Sequence, residues 1–124
     1  MRYLTILILL FSLESYAMVD LSYDCKIYKK HSLDRDYTKE NLKKYKYRTE
    51  VVKTGSNHFL KRCSLDSFGN PAACDVCSVD KVVRLKSSRK YYCLSNGLDV
   101  EIFSNTKSIE NFSGTVSYGQ CMPI

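Results

Sequence analysis

Apolar and polar residues alternate along most of the chain from position 21 onward. In the first such stretch the apolar positions are Leu21, Tyr23, Cys25 and Ile27. Residues spaced by two lie on one side of an extended chain, so this stretch predicts a half-buried β-strand. Similar stretches cover residues 45–53, 58–65, 76–86, 90–95, 98–103, 109–112 and 114–121. Together they predict about seven or eight short antiparallel strands, with Asp80 as the point where the strand over 76–86 would break.

Turn-forming residues separate these stretches. Residues 54–57 (TGSN) and the pair Asn96-Gly97 predict hairpins, and residues 66–71 (DSFGNP) predict a chain reversal. The polar, lysine-rich stretch 29–46 lacks the alternation, and within it residues 38–45 predict either one short helix or a solvated loop. The chain is therefore assigned to the all-β class, as a small single-domain sandwich or barrel with at most one short helix.

Residues 1–17 (MRYLTILILLFSLESYA) have the form of a secretory signal peptide. Arg2 precedes an apolar run, and Ser15 and Ala17 place small residues where cleavage would occur. The apolar run is too short to cross a bilayer, which takes about 20 residues. We therefore expect residues 1–17 to be removed and residues 18–124 to form one disulfide-stabilised β domain that is secreted or periplasmic.

All six cysteines lie after this segment. They are Cys25, Cys63, Cys74, Cys77, Cys93 and Cys121. In an oxidising compartment an even number of cysteines in a short chain predicts disulfides, here three, although spacing alone leaves many pairings open. Our preferred pairing joins Cys63 to Cys74 across the 66–71 turn, Cys77 to Cys93 between strands, and Cys25 to Cys121 at the two ends of the domain.

Cys74 and Cys77 also form a C-x-x-C motif, which has two functional interpretations. A redox pair is expected within a βαβ pattern, and a zinc site is expected to have a second C-x-x-C. The sequence contains neither context. We therefore interpret the two cysteines as members of different structural bridges, and we predict neither a metal site nor another cofactor.

Positive charge is concentrated in one part of a chain whose formal charge is +6. Between Lys26 and Arg62 there are twelve basic and four acidic residues. Tyrosines are interleaved with them, at Tyr28, Tyr37, Tyr45 and Tyr47. The residues that we assign to polyanion binding are Lys29, Lys30, Lys43, Lys44, Lys46, Arg48, Lys61 and Arg62.

This basic region predicts a non-enzymatic binding protein or effector that recognises an anionic partner, such as a cell-envelope polymer, a glycan or membrane head groups. Interleaved tyrosines would then stack on sugars or bases. The alternative interpretation is a solvated surface whose tyrosines fill strand faces. A third hypothesis is that the basic region serves only solubility and that a binding partner uses the apolar or acidic side near Asp99 and Glu101.

Two histidines provide the competing hypothesis of an enzyme. His31 and His58, with a nearby lysine such as Lys61, are the residue types that a small secreted ribonuclease uses as general acid and base. Such a mechanism needs both imidazoles at one substrate phosphate. Loss of RNA cleavage in both His31→Ala and His58→Ala would distinguish the hydrolase from the binding protein.

Overall fold

The computed structural model describes residues 21–33, 37–44 and 46–124 of this chain. The signal-peptide prediction for residues 1–17 lies outside these residues. The elements follow in the order β1 (Tyr23–Ser32), α1 (Lys39–Lys44), β2 (Lys46–Thr54), β3 (Asn57–Leu65), β4 (Pro71–Ser78), β5 (Lys81–Arg84), β6 (Ser88–Cys93), β7 (Leu98–Phe103), β8 (Lys107–Phe112) and β9 (Thr115–Pro123).

The strands form one antiparallel sheet in the order β4-β3-β2-β1-β9-β8-β7-β6-β5. The sheet is curled into a half-barrel. The all-β prediction is confirmed, but the described residues contain nine strands rather than seven or eight, and they form a single curled sheet rather than a two-sheet sandwich.

The additional strand arises because the stretch 76–86 is divided between β4 and β5. The backbone N–H of Val79 still donates to His58 of β3, whereas that of Asp80 donates to Tyr92 of β6, each at 2.9 Å. The chain therefore leaves one part of the sheet and joins another between two successive residues. Asp80 fixes this break, since its Oδ2 accepts the backbone N–H of Leu94 at 2.7 Å.

The concave side of the sheet holds the apolar core. Leu98, Val100 and Ile102 of β7 are all at most 1% exposed, as their spacing of two predicts, while Asp99 and Glu101 between them are half-buried. Facing strands meet across the interior. The ring of His58 on β3, for example, lies 5.3 Å from that of Tyr91 on β6.

Both predicted hairpins are present. Thr54 pairs with Asn57 across a two-residue loop, in which Gly55 adopts φ 62°. Glycine adopts a positive φ without steric cost, because it has no Cβ. The second loop is longer than a two-residue Asn-Gly turn, because the ladder closes at Cys93 and Leu98. Its four residues, 94–97, are held by the bond from the N–H of Gly97 to the carbonyl of Cys93, at 3.0 Å.

Of the two alternatives for residues 38–45, the structure contains the helix, over Lys39–Lys44. Thr38 caps it, since Thr38 Oγ1 accepts the N–H of Asn41 and Asn41 Oδ1 accepts the N–H of Thr38, both at 3.1 Å. This reciprocal pair satisfies backbone donors that a helix start leaves open. The helix lies against β1 and β2.

The three disulfides join the pairs that the sequence favoured, Cys25–Cys121, Cys63–Cys74 and Cys77–Cys93. Cys74 and Cys77 thus belong to different bridges, which confirms the structural interpretation of the C-x-x-C motif. Two bridges connect strands that are already paired, because Cys25 is opposite Cys121 and Cys63 is opposite Cys74 in register. The Cys77–Cys93 bridge is different, since it links β4 to β6, which are not neighbours in the sheet.

We expect removal of the Cys77–Cys93 bridge to open the sheet locally as well as destabilise it. The test variant is Cys77→Ala with Cys93→Ala, and the matched control is Cys63→Ala with Cys74→Ala. The two bridges that these variants remove close loops of similar length, since their cysteines are 16 and 11 residues apart in sequence. Chain entropy therefore predicts a loss of about 3 kcal/mol from the free energy of unfolding in each case. Hydrogen exchange at Val79 and Asp80 should rise in the first variant alone. Equal exchange in both would contradict a special role for this bridge.

Candidate functional site

A groove with a volume of about 710 Å³ lies beside α1, and we call it the basic groove. Its cationic members are Lys26, Lys39, Lys46 and Arg48. Its other members are Ile27, Tyr28, Leu42, Tyr47, Leu65 and Gly69. A volume of this size is within the range of ligand-binding clefts, which is about 300–1,000 Å³. The groove therefore combines several cations with a largely apolar lining.

Neighbouring elements bring these residues together. Lys26 of β1 is directly opposite Arg48 of β2, and Lys46 of β2 is directly opposite Leu65 of β3. The helix α1 contributes Lys39 and Leu42. Gly69 belongs to the β3–β4 turn. The cations thus come from three different elements, none of which contains more than two of them.

Arg48 already has an acidic partner inside the protein. Its Nε and Nη2 donate to the two carboxylate oxygens of Asp24 on β1. This hydrogen-bonded pair raises the pKa of the Arg48 guanidinium, with the nearby charge of Asp24 acting in the same direction. The positive charge of Arg48 is therefore largely neutralised, and its side chain is held in place along the groove.

The three groove lysines have no such partner. Among the residues that the structure describes, the ion pairs are Arg48–Asp24 and Arg62–Glu110, neither of which involves Lys26, Lys39 or Lys46. All three lysines are exposed. Their ammonium groups are therefore available to an anion that enters the groove.

The residues assigned to polyanion binding are distributed over several places. Lys46 and Arg48 line the basic groove. Lys29 is exposed on β1, with Nζ 5.8 Å from the ring centre of Tyr118, and Lys61 is half-buried on β3. Lys43 and Lys44 belong to α1, and their side chains lie outside what the structure describes.

Lys30 lies inside the half-barrel and does not belong to an exposed basic face. It is only 4% exposed, and its Nζ lies 3.7 Å from the ring centre of Tyr47 and 5.1 Å from that of Tyr37. The cause is a register shift between Ile27 and Lys29, a β-bulge. One additional residue in a strand turns every later side chain to the other face. Cation–π contacts with two tyrosine rings then replace much of the hydration of the ammonium group.

Arg62 also points inward, where it meets Glu110 of β8. Its Nε lies 3.1 Å from Glu110 Oε1, and its guanidinium lies 4.8 Å from the ring centre of Phe112. Thr49 Oγ1 donates to the same Glu110 oxygen at 3.2 Å. The alternation along β3 indicates this inward position, because Arg62 is two residues from Leu60 and therefore lies on the same face. Leu60 is fully buried.

Lys26 and Lys39 belong to the basic region that the sequence indicates, but they are not among the eight residues assigned to polyanion binding, and the assignment includes no apolar side chain of the groove. The alternation of β1 does predict that Lys26 faces away from Cys25, which is buried. For Lys39 no sequence signal was available, because its place depends on how α1 lies against the sheet. Of the interleaved tyrosines, Tyr28 is 52% exposed, whereas Tyr37 and Tyr47 surround Lys30; Tyr45 lies outside the described residues.

The two histidines are far apart. Register places Tyr23, Val51 and Leu60 at one level of β1, β2 and β3, and His58 is two residues beyond that level, away from His31. At about 3.3 Å per residue, His31 and His58 are separated by roughly 30 Å along the strands. His58 is in addition buried, at 4% exposure. The two imidazoles therefore do not meet at one phosphate, as the ribonuclease hypothesis requires.

The acidic side near Asp99 and Glu101 is already engaged in local contacts. Asp99 Oδ1 accepts from Asn111 Nδ2 at 3.0 Å, and Glu101 Oε2 accepts from the hydroxyl of Ser88 at 2.9 Å. Each carboxylate is half-buried on β7. These bonds hold the two side chains against neighbouring strands.

The fold and the groove together define a small disulfide-bonded β half-barrel with a basic groove on its surface. Comparisons with protein-family models, with curated proteins and with solved structures find no match to this chain. Within residues 21–33, 37–44 and 46–124, no helix has the length and apolar character needed to cross a bilayer. The three disulfides are compatible with an extracellular or periplasmic location.

Glu110 should make stability depend on pH in an unusual direction. Burial raises the pKa of its carboxyl above the ordinary value of 4.5, although Arg62 and Thr49 oppose this shift. Its Oε2 is buried and accepts no hydrogen bond. Between the unfolded and folded pKa values the native state binds the proton more tightly, so the contribution of Glu110 to stability is fully present at lower pH and is lost as the pH rises through the folded pKa.

The test is to compare the free energy of unfolding in urea of the wild type and of Glu110→Gln, in steps between about pH 4 and pH 8. The stability of the wild type relative to the variant should fall as the pH rises through this window. Other carboxyl groups titrate equally in both proteins and cancel in the difference. A difference that stays constant, or that grows with pH, would show that the pKa of Glu110 is not raised.

Proposed function

We propose that this chain is a secreted or periplasmic, non-enzymatic binding protein that recognises an anionic partner through the basic groove. The observation that carries the proposal is the presence of three exposed lysines, Lys26, Lys39 and Lys46, around one groove, none of which forms an ion pair with a described residue. Like charges held near one another repel, and an anion in the groove relieves that repulsion. Such a cluster raises the local concentration of anions and speeds their association.

Because the available cations of the groove are lysines, an extended anion is a better candidate partner than a single, tightly bound anionic group. A lysine ammonium acts as a flexible point charge, whereas bidentate recognition of a carboxylate or phosphate is usually the role of arginine. Arg48, the one arginine among the described residues of the groove, is engaged by Asp24. Each lysine then contributes a modest, salt-sensitive attraction, and affinity depends on how many anionic groups meet the groove at once.

Location outside the cytoplasm is supported by two independent features. Three disulfides in a chain of this size persist most readily where the environment is oxidising. The pattern of residues 1–17 is that of a secretory signal peptide. In such compartments the abundant anionic partners are envelope polymers, glycans and membrane head groups, which are all polyvalent.

Binding to dextran sulfate, a simple polyanion, tests whether the groove lysines or only the net charge of the protein attract an anionic partner. We expect the triple variant Lys26→Gln, Lys39→Gln, Lys46→Gln to bind at least about tenfold more weakly than the wild type. It should also show a shallower dependence of the binding constant on salt, since about three fewer counterions are released. The measurement is titration by light scattering or calorimetry at several salt concentrations.

The control is the triple variant Lys81→Gln, Lys86→Gln, Lys107→Gln, which removes the same charge from exposed positions outside the groove. It should retain most of the affinity. Equal losses in the two triple variants would mean that the overall charge of the protein is responsible. Full binding by the groove variant would eliminate the proposed site.

A further inference from the structure

Phe68 is a large apolar side chain that the fold leaves in water. It is 87% exposed, at the turn between β3 and β4. A phenylalanine has no polar group to favour such a place, and exposure of its ring costs the free energy that burial would have gained. Isolated exposed apolar residues are common. Phe68 differs from the others in its position, because its turn borders the basic groove.

The turn that presents Phe68 is held firmly. Asp66 Oδ1 accepts the backbone N–H groups of Phe68 and Asn70, each at 2.9 Å. The backbone of Asp66 also bonds to Gly69 and to Asn70, at 3.0 and 2.9 Å. Gly69 adopts φ 83°, a conformation that glycine tolerates well. The Cys63–Cys74 bridge holds the two strands just below the turn.

The same turn borders the basic groove. Gly69, the residue after Phe68, is part of the groove lining, and so is Leu65 at the other side of the turn. Leu65 is directly opposite Lys46 in the β2–β3 ladder. An exposed apolar side chain and three lysines that form no ion pair with a described residue therefore occupy one continuous region of the surface.

We propose that this region docks the protein onto an anionic membrane surface, with the groove lysines at the lipid head groups and Phe68 inserted among the acyl chains. The inference rests on the anion-binding function proposed above and names its partner. Charge complementarity between the lysines and acidic head groups selects an anionic surface, to which each lysine adds attraction. Phe68 selects a lipid surface over a soluble polyanion, because only the bilayer offers an apolar phase next to the anionic groups.

Binding to lipid vesicles separates the contribution of the groove lysines from that of Phe68. Large vesicles of phosphatidylglycerol should bind the wild-type protein, and vesicles of phosphatidylcholine should not. Phe68→Ser should weaken partition to phosphatidylglycerol vesicles by about tenfold or more, the loss expected when one phenylalanine no longer enters lipid. Its binding to dextran sulfate should stay as in the wild type. As a matched control, Leu85→Ser removes another exposed apolar side chain, on the β5–β6 turn, and should leave both affinities unchanged.

A fluorescent probe tests the insertion directly, because the chain contains no tryptophan. Phe68→Trp introduces a single indole at the turn, and its emission should shift to shorter wavelength when phosphatidylglycerol vesicles are added. Dextran sulfate should bind this variant without that shift. Leu85→Trp should show no shift with either partner.

The outcomes separate the two proposals. Binding to dextran sulfate through the groove lysines, without binding to phosphatidylglycerol vesicles, would overturn the membrane inference and leave a soluble polyanion as the partner. Vesicle binding that Phe68→Ser does not weaken would overturn the insertion of Phe68. Absence of binding to both partners would overturn the proposed function itself.

Discussion

The structure depends on bringing the two ends of one curled sheet together. A sheet with an apolar face must cover that face, and here the opposite half of the same sheet provides the cover. His58 of β3 meets Tyr91 of β6, and the backbone crosses between these two regions at Val79 and Asp80. Since β4 and β6 share no ladder of hydrogen bonds, the Cys77–Cys93 bridge is the covalent element that holds this closure. A domain of this size gains substantially from such a cross-link, because its core is small.

Closure also places charge in the interior. Lys30, Arg62 and Glu110 bring two positive groups and one negative group into the half-barrel, where tyrosine and phenylalanine rings surround the cations. Removing a charge from water is costly unless it is paired, and the pairing of Glu110 is incomplete, since its buried Oε2 accepts no hydrogen bond from the described residues. Two of the basic residues in the 26–62 region are thus used for internal structure. The anion binding that we propose for this region would therefore depend on the lysines that remain outside.

Much of the fold was predictable because it follows from local patterns. Alternation in β7, the Gly55 hairpin and the Asp66 turn each require particular residues at fixed spacing. The three disulfides found are the preferred set among the many pairings that spacing leaves open. The bulge before Lys30 depends instead on contacts between distant strands, and so does the crossing of the chain from β3 to β6 between Val79 and Asp80. A single-residue bulge leaves no mark in the alternation of apolar residues when the residue that it turns inward is a lysine.

The candidate site was predictable only in part, for the same reason. Charge density indicates residues 26–62, and two of the residues assigned to polyanion binding there, Lys46 and Arg48, line the groove. The register of the strands decides whether a basic residue faces water, an acid or an aromatic ring. A count of charges along the sequence carries no information about that register. Arg48 is held by Asp24 because the two are on neighbouring strands, and Lys39 reaches the groove because a six-residue helix lies against β1 and β2.

The elements that border the groove bear on the binding function that we propose for it. The helix has its own cap at Thr38 and Asn41, and the turn has its own bonds at Asp66, so both borders are in place before a partner arrives. A preformed surface lowers the ordering cost of binding. The lysines themselves stay flexible, and each loses side-chain entropy when it is fixed on a single anion. A surface that carries many mobile anionic groups lets the lysines keep much of that freedom, since each ammonium can exchange between neighbouring charges. The combination of rigid borders and flexible cations therefore favours an extended anionic surface over one small anion.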